Sequence, residues 1–208
     1  LFSKLLNEKK YVIADKSIKQ FSTLKKISKR KKLKIKDITE VLVQTENMRL
    51  PLVGSFQFKN LSMAILAAKL CNVNYFKIKK ALKEISNIDG RLDLIKKFSN
   101  NRKIFIDYAH TPDALNEVLK SIKEKYNNKI SLVFGCGGER DYKKRSLMAR
   151  VAKSMCDKIY VTDDNPRNEN PKKIRKEIIK HLKKMNFKDI GNRSLAIKEA
   201  ILCSEPNE

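Results

Sequence analysis

The sequence predicts an α/β protein in two parts. The first is dominated by helices, and the second carries a mostly parallel, doubly wound sheet. Three observations lead there. Strand and helix patterns alternate with short loops from Lys103 onward, and such alternation builds parallel sheets through right-handed crossovers. The stretch Ser86–Arg91 (SNIDGR) reads as a linker, which sets expected domains at 1–88 and 89–208. Polar and charged residues gather just after successive strands of the second part, at the carboxyl edge where open parallel sheets bind ligands.

Each element has its own signal. Tyr11–Ala14 (YVIA) is a short strand, with Asp15 as the expected cap of a following helix. Ile18, Phe21, Leu24 and Ile27 recur at helical spacing and predict a basic amphipathic helix over 17–32. The β-branched alternation of 33–45 predicts one or two strands. Pro51 and Gly54 mark a turn, and apolar helices are expected over 60–71 and 76–85. In the second part, strands are expected at 103–107, 130–134 and 158–162. Helices are expected at 112–126, 144–155, 174–184 and 194–202. The first of these has Thr111 as cap and Pro112 in its first turn.

Composition narrows the function classes. The 208 residues are 41% apolar, and no apolar run approaches the ~18 residues of a membrane-spanning helix. The formal charge is +24, from 47 basic and 23 acidic residues. Of the cations, 37 are Lys and only 10 Arg, beside 17 Asn and 21 Ile. All three abundant residues have A+T-rich codons, whereas phosphate-clamping surfaces favour Arg forks. No nucleic-acid partner is therefore expected, although the cluster Lys25–Lys36 would be its surface. Cys71, Cys136, Cys156 and Cys203 form no CxxC pair. Neither a zinc site nor a disulfide framework is indicated, no secretory signal is visible, and reduced thiols in the cytoplasm are expected.

The chemistry lies in three loops. Asp107-Tyr108-Ala109-His110 follows the first strand of the second part, Gly135–Asp141 the next, and Asp163–Arg167 the third. One sheet edge thereby collects Asp107, His110, Asp164 and Asn165 with the cations Arg140, Lys144, Arg145 and Arg167. Gly135-Cys136-Gly137-Gly138 lacks the full dinucleotide-binding glycine spacing.

These motifs taken together resemble the Mur ligase family, in the branch that adds meso-diaminopimelate. The residues that carry the resemblance are Gly90-Arg91-Leu92-Asp93, 107–115 (DYAHTPDAL), 133–141 (VFGCGGERD), 144–148 (KRSLM) and 162–167 (TDDNPR). Upstream, 52–60 (LVGSFQFKN) is similar to the end of the family's central ATPase domain. The resemblance implies a Rossmann-like C-terminal domain after the end of that central domain. It also implies ATP and Mg²⁺ as cofactors, the metal held mainly by parts outside this sequence. The implied substrates are UDP-MurNAc-dipeptide, meso-diaminopimelate and ATP, and the implied state is monomeric. Asn60, Arg91, Asp107 and His110 match nucleotide-side positions. Arg140 and Asp164-Asn165-Pro166-Arg167 match the diaminopimelate pocket. Arginine there suits the second carboxylate of diaminopimelate, which lysine lacks. Catalytic and metal-binding residues are not assigned within this sequence.

Departures accompany the match. Glu139 stands for a usual Asp, Asp93 for Glu, Gln57 for Asn and Ser55 for Arg. No GxxxxGK[ST] phosphate loop occurs in the sequence. A fragment of a longer ligase is the expectation, inactive in ligation by itself. Lysine-adding, folylpolyglutamate-type and cyanophycin-type ligases are the related alternatives.

Overall fold

Short strands cannot bury both faces without helices laid over them, and the chain solves this separately in two compact units, ending at Asn87 and starting at Ile88. The computed structural model describes residues 11–208. Residues 1–10 of the expected first domain lie outside the described residues.

In the first unit, β1 (Tyr11–Ala14) pairs in parallel with β2 (Lys34–Asp37), Ala14 opposite Asp37. The crossover is α1 (Phe21–Arg30), which begins later than its periodicity predicts. Asp15 does not cap it. Its carboxylate accepts from the Ser17 amide at 2.8 Å and pairs with Lys59 at 2.7 Å, so residues 16–20 form turns instead. The expected second strand in 33–45 is a helix, α2 (Thr39–Glu46). The Asp37 carboxylate accepts from Thr39 Oγ1 at 2.5 Å where the strand stops. Val41 and Thr45, four residues apart, are the buried face of α2. Thr45 shares a buried hydroxyl–hydroxyl bond of 2.9 Å with Ser62. Burial of that stripe overrides the β propensity of Val and Thr. The partner helix α3 (Ser55–Leu70) starts five residues before the expected position, after Gly54 with φ +88°. α4 (Tyr75–Lys83) follows, capped by Asn74. Val41, Ile65 and Ile78 form the core.

The second unit opens with a hairpin that periodicity did not reveal. β3 (Asp93–Lys97) runs antiparallel to β4 (Lys103–Ile106). The expectation that the strand at 103–107 belongs to the parallel ladder is corrected: its paired neighbour is β3. Left-handed turns at Gly90 (φ +65°) and Leu92 (φ +49°) direct the chain into β3, and Leu92 is buried. α5 (Pro112–Tyr126) follows, its Thr111 side chain accepting from the Ala114 amide at 3.2 Å.

The parallel sheet has the order β5 (Ser131–Phe134), β6 (Lys158–Val161), β7 (Phe187–Asp189). β7, three residues long, was not expected. α6 (Lys143–Met155) and α7 (Pro171–Ile179) make the crossovers, and α8 (Arg193–Leu202) closes the unit. The helix expected at 174–184 is displaced toward the N-terminus, because Asn170 caps it and Pro171 occupies its first turn. α5 packs on α6, α6 on α7, and α8 against β5 and β6. Ile159, Tyr160 and Val161 of the central strand are fully buried. Around them lie Leu119, Met148, Ala149, Ala152, Ile178 and Leu182, each at most 2% exposed.

Candidate functional site

The loops after β4, β5 and β6 open into one cavity of about 1190 Å³ within the second unit. Asp107 and His110 line it from the first loop, Arg140 from the second, and Asp164, Asn165 and Arg167 from the third. Lys144, at the start of α6, joins them and donates to the His110 carbonyl at 3.2 Å. The wall thus carries carboxylates and cations side by side, complementary to a zwitterion. Pro166 and Arg91 are not among the lining residues, and Asn60 belongs to the first unit, on the exposed side of α3.

Asp107 is held by the backbone. Its two oxygens accept from the Leu92 amide at 2.6 Å and the Ala109 amide at 2.7 Å. This fixes the turn carrying Arg91, whose guanidinium lies 4.9 Å from the Tyr108 ring centre. Tyr108 meets His110 edge-to-face at 5.3 Å. The first loop is thereby one stacked row from residue 91 to residue 110.

The other two loops are joined by one backbone bond and one side-chain bond. Gly138 N–H donates to Asn165 O at 2.8 Å, and Arg167 Nη1 donates to Gly138 O at 2.5 Å. A Cβ at Gly135 would collide with the Thr162 carbonyl, and one at Gly138 with the Pro166 carbonyl. The glycines are there for close approach, a role their incomplete dinucleotide spacing did not suggest. Between them Cys136 is buried against Met148, and burial pushes its thiol up to about 11. That thiol is a packing group.

Arg145 is corrected. Grouped with the site cations by sequence, it is 1% exposed and faces inward. Burial disfavours its charge, but Glu169 and Glu177 more than compensate and raise its pKa. Arg145 Nη2 reaches both Glu169 oxygens, at 2.8 and 3.0 Å, and Nη1 reaches Glu177 at 2.9 Å. Glu169 also accepts from the Glu139 amide. Arg175 pairs likewise with Asp163 and with Asp189, anchoring the third loop from below. Sequence reasoning missed Glu169, Glu177 and Arg175, because their partners lie 12 to 32 positions away. Among the described residues no group of His, Cys, Asp and Glu could hold a metal ion, and no helix is long and apolar enough to cross a membrane.

Parallel strands crossed by helices, with a polar cavity at their carboxyl ends, define a nucleotide- or substrate-binding α/β domain. Residues 90–208 match the family described as Mur ligase, glutamate ligase domain, and the chain belongs to the Mur ligase family. It is similar to UDP-N-acetylmuramoyl-L-alanyl-D-glutamate--2,6-diaminopimelate ligase of Rickettsia montanensis, 45% identical over 157 residues, covering 74% of this chain and 32% of that protein. The like-named ligase 1 of Clostridium acetobutylicum is 34% identical over 164 residues, covering 78% and 34%. The chain spans about a third of the length of these curated relatives. A solved UDP-N-acetylmuramoyl-L-alanyl-D-glutamate--2,6-diaminopimelate ligase superposes with a TM-score of 0.55 at 25% identity, covering 95% of this chain and 46% of that one. Mycobacterium tuberculosis folylpolyglutamate synthase, solved with ADP and AMPPCP, reaches 0.71 at 14% identity, covering 92% and 48%. That second likeness is one of fold alone.

Proposed function

We propose that this chain is the end of the central domain (1–88) and most of the C-terminal domain (89–208) of a cytoplasmic, ATP-dependent ligase. The enzyme adds meso-diaminopimelate to UDP-MurNAc-L-Ala-D-Glu during cell-wall precursor synthesis. The carrying observation is the cavity that gathers Arg140, Asp164, Asn165 and Arg167. Diaminopimelate ends in an ammonium beside a carboxylate, so its pocket needs an acceptor next to a cation. Asp164 and Asn165 take the ammonium, and the planar forks of Arg140 and Arg167 take the carboxylate. Lysine lacks the second carboxylate that those forks would grip.

On the nucleotide side, Asn60 matches the family position near the adenine, and Arg91, Asp107 and His110 match positions assigned to ATP. In the reaction, the γ-carboxylate of the D-glutamyl residue attacks the terminal phosphorus of ATP, and ADP leaves. The amine of diaminopimelate then attacks the acyl phosphate, loses a proton, and expels inorganic phosphate as the amide forms. A carboxylate becomes a useful electrophile only once its oxygen is a phosphate leaving group, and catalysis then rests on positioning and charge neutralisation. Mg²⁺ supplies phosphate charge neutralisation when bound. The described residues offer it no cluster, so its ligands are assigned to the remainder of the enzyme.

The test is ligation by the full-length gene product, with the nucleotide dipeptide, ATP and radiolabelled diaminopimelate. Incorporation of diaminopimelate and not lysine is expected. Arg167→Ala should raise KM for diaminopimelate about tenfold, the range for losing a charge-assisted bond, with little change in KM for ATP. Acceptance of lysine instead, or a larger effect on ATP, would refute the pocket.

A further inference from the structure

The two loops carrying Arg140 and Arg167 share an unusual arrangement. Glu139, next to Arg140, and Arg167 itself both adopt φ of +50°. L-residues avoid that region, and they persist in it only where the surroundings over-determine the backbone. Both turns are tied to one residue, the first by its side chain and the second by its backbone amide. Glu169 accepts from the Glu139 amide, and its own amide donates to Pro166 O at 3.0 Å, immediately before Arg167. Its carboxylate is in turn held by both contacts from the buried Arg145, which also reaches Gly137 O at 3.4 Å.

We propose that Glu169 is a positioning residue for the amino-acid pocket. Its carboxylate, held by Arg145, fixes the left-handed turn at 139, while its backbone amide is part of the turn at 167, and so it ties the Arg140 turn to the Arg167 turn. Glu169 does not touch substrate; it sets where the two cations stand. Two forks on separate loops grip one carboxylate only at a fixed spacing, and here the first turn is tied by a carboxylate to the residue two positions beyond the second fork. The inference takes the identity of the ligand, and only that, from the preceding section.

Glu177 provides the control. It is the other carboxylate on Arg145, at 2.9 Å, but it lies on α7 rather than in either loop. Glu169→Ala and Glu177→Ala each remove one acidic partner from the same buried cation, so a merely structural ion pair predicts lost stability from both and no selective effect on diaminopimelate from either. Two readouts separate the alternatives: amide exchange at Glu139 in the 208-residue chain without ligand, and KM for meso-diaminopimelate and for ATP in the full-length protein.

With Glu169→Ala, exchange at Glu139 should accelerate about tenfold or more, and KM for diaminopimelate should rise about tenfold, the range for losing a charge-assisted bond. KM for ATP should stay within about twofold. Glu169→Gln keeps an acceptor for the Glu139 amide and should restore slow exchange in part. Glu177→Ala should lower stability without either effect. Equal effects of the two alanine variants, or unchanged Glu139 exchange with Glu169→Ala, would overturn the proposal. If the wild-type enzyme takes no diaminopimelate, the assigned substrate fails, while accelerated exchange confined to Glu169→Ala would still support the positioning role.

Discussion

Asp15, 5% exposed at the end of β1, shows how a residue that reads as a helix cap takes another role in the fold. Burial pushes its carboxyl up, but the Lys59 ammonium and the hydroxyl and amide of Ser17 outweigh that and hold it at about 2, against an ordinary 3.8. A depressed folded value means the stabilisation is present above the ordinary carboxylate range and is lost as pH falls toward 2. The difference corresponds to about 2 kcal/mol. Asp15→Asn should therefore weaken the first unit by about that amount at pH 7, and the gap should close between pH 4 and 2. Urea unfolding at stepped pH measures it; a gap that persists at pH 2 would show that the ion pair is not its source. Nothing local in Ala14-Asp15-Lys16 signals a partner 44 positions away. The loop residues 107, 110, 140, 164, 165 and 167 were legible as a group because each follows a strand. The acidic and basic residues behind them were not, since ion pairs leave no periodicity.

At the scale of elements, α5 was read to the residue because Thr111-Pro112-Asp113 combines a cap, a first-turn proline and an early acid. β7 was invisible for its length of three residues, and β3 because Asp-Leu-Ile-Lys-Lys has no alternation. α2 was misread because its Val and Thr residues prefer strands until Thr45 meets Ser62 on α3. Glycine carries two different meanings in these loops, and stability measurements distinguish them. Gly138→Ala drives a methyl into the Pro166 carbonyl, so the joined loops must part, at a cost of about 1–3 kcal/mol. Gly90→Ala meets nothing within 4 Å; its φ of +65° leaves only the conformational cost of about 1 kcal/mol. Thermal unfolding of the two variants should rank them in that order, and the reverse order would contradict the packing of the two loops.

At the scale of the whole molecule, composition excluded more than it assigned. A charge of +24 carried mostly by lysine leaves the partner open; the loops, not the surface, point to a substrate. The sequence holds no phosphate-cradling glycine loop, and the chain spans about a third of its curated relatives. Incubated alone with ATP, nucleotide dipeptide and diaminopimelate, it should release phosphate no faster than a blank. Sustained release would overturn the division of labour proposed above. One consequence concerns how such a domain diversifies. Its second and third loops are stitched by one backbone bond and one side-chain bond, with glycines where the strands of backbone touch. Of the residues that address an incoming amino acid, Arg140 and Asp164 hang from this seam, Asn165 enters it through its carbonyl, and Arg167 closes it with its side chain. New acceptors are thus reachable by exchanging the side chains at 140, 164 and 165 one at a time while the seam stays shut, whereas exchange at 167 also loosens it. Drift at 135 or 138 is closed off whichever amino acid the enzyme serves.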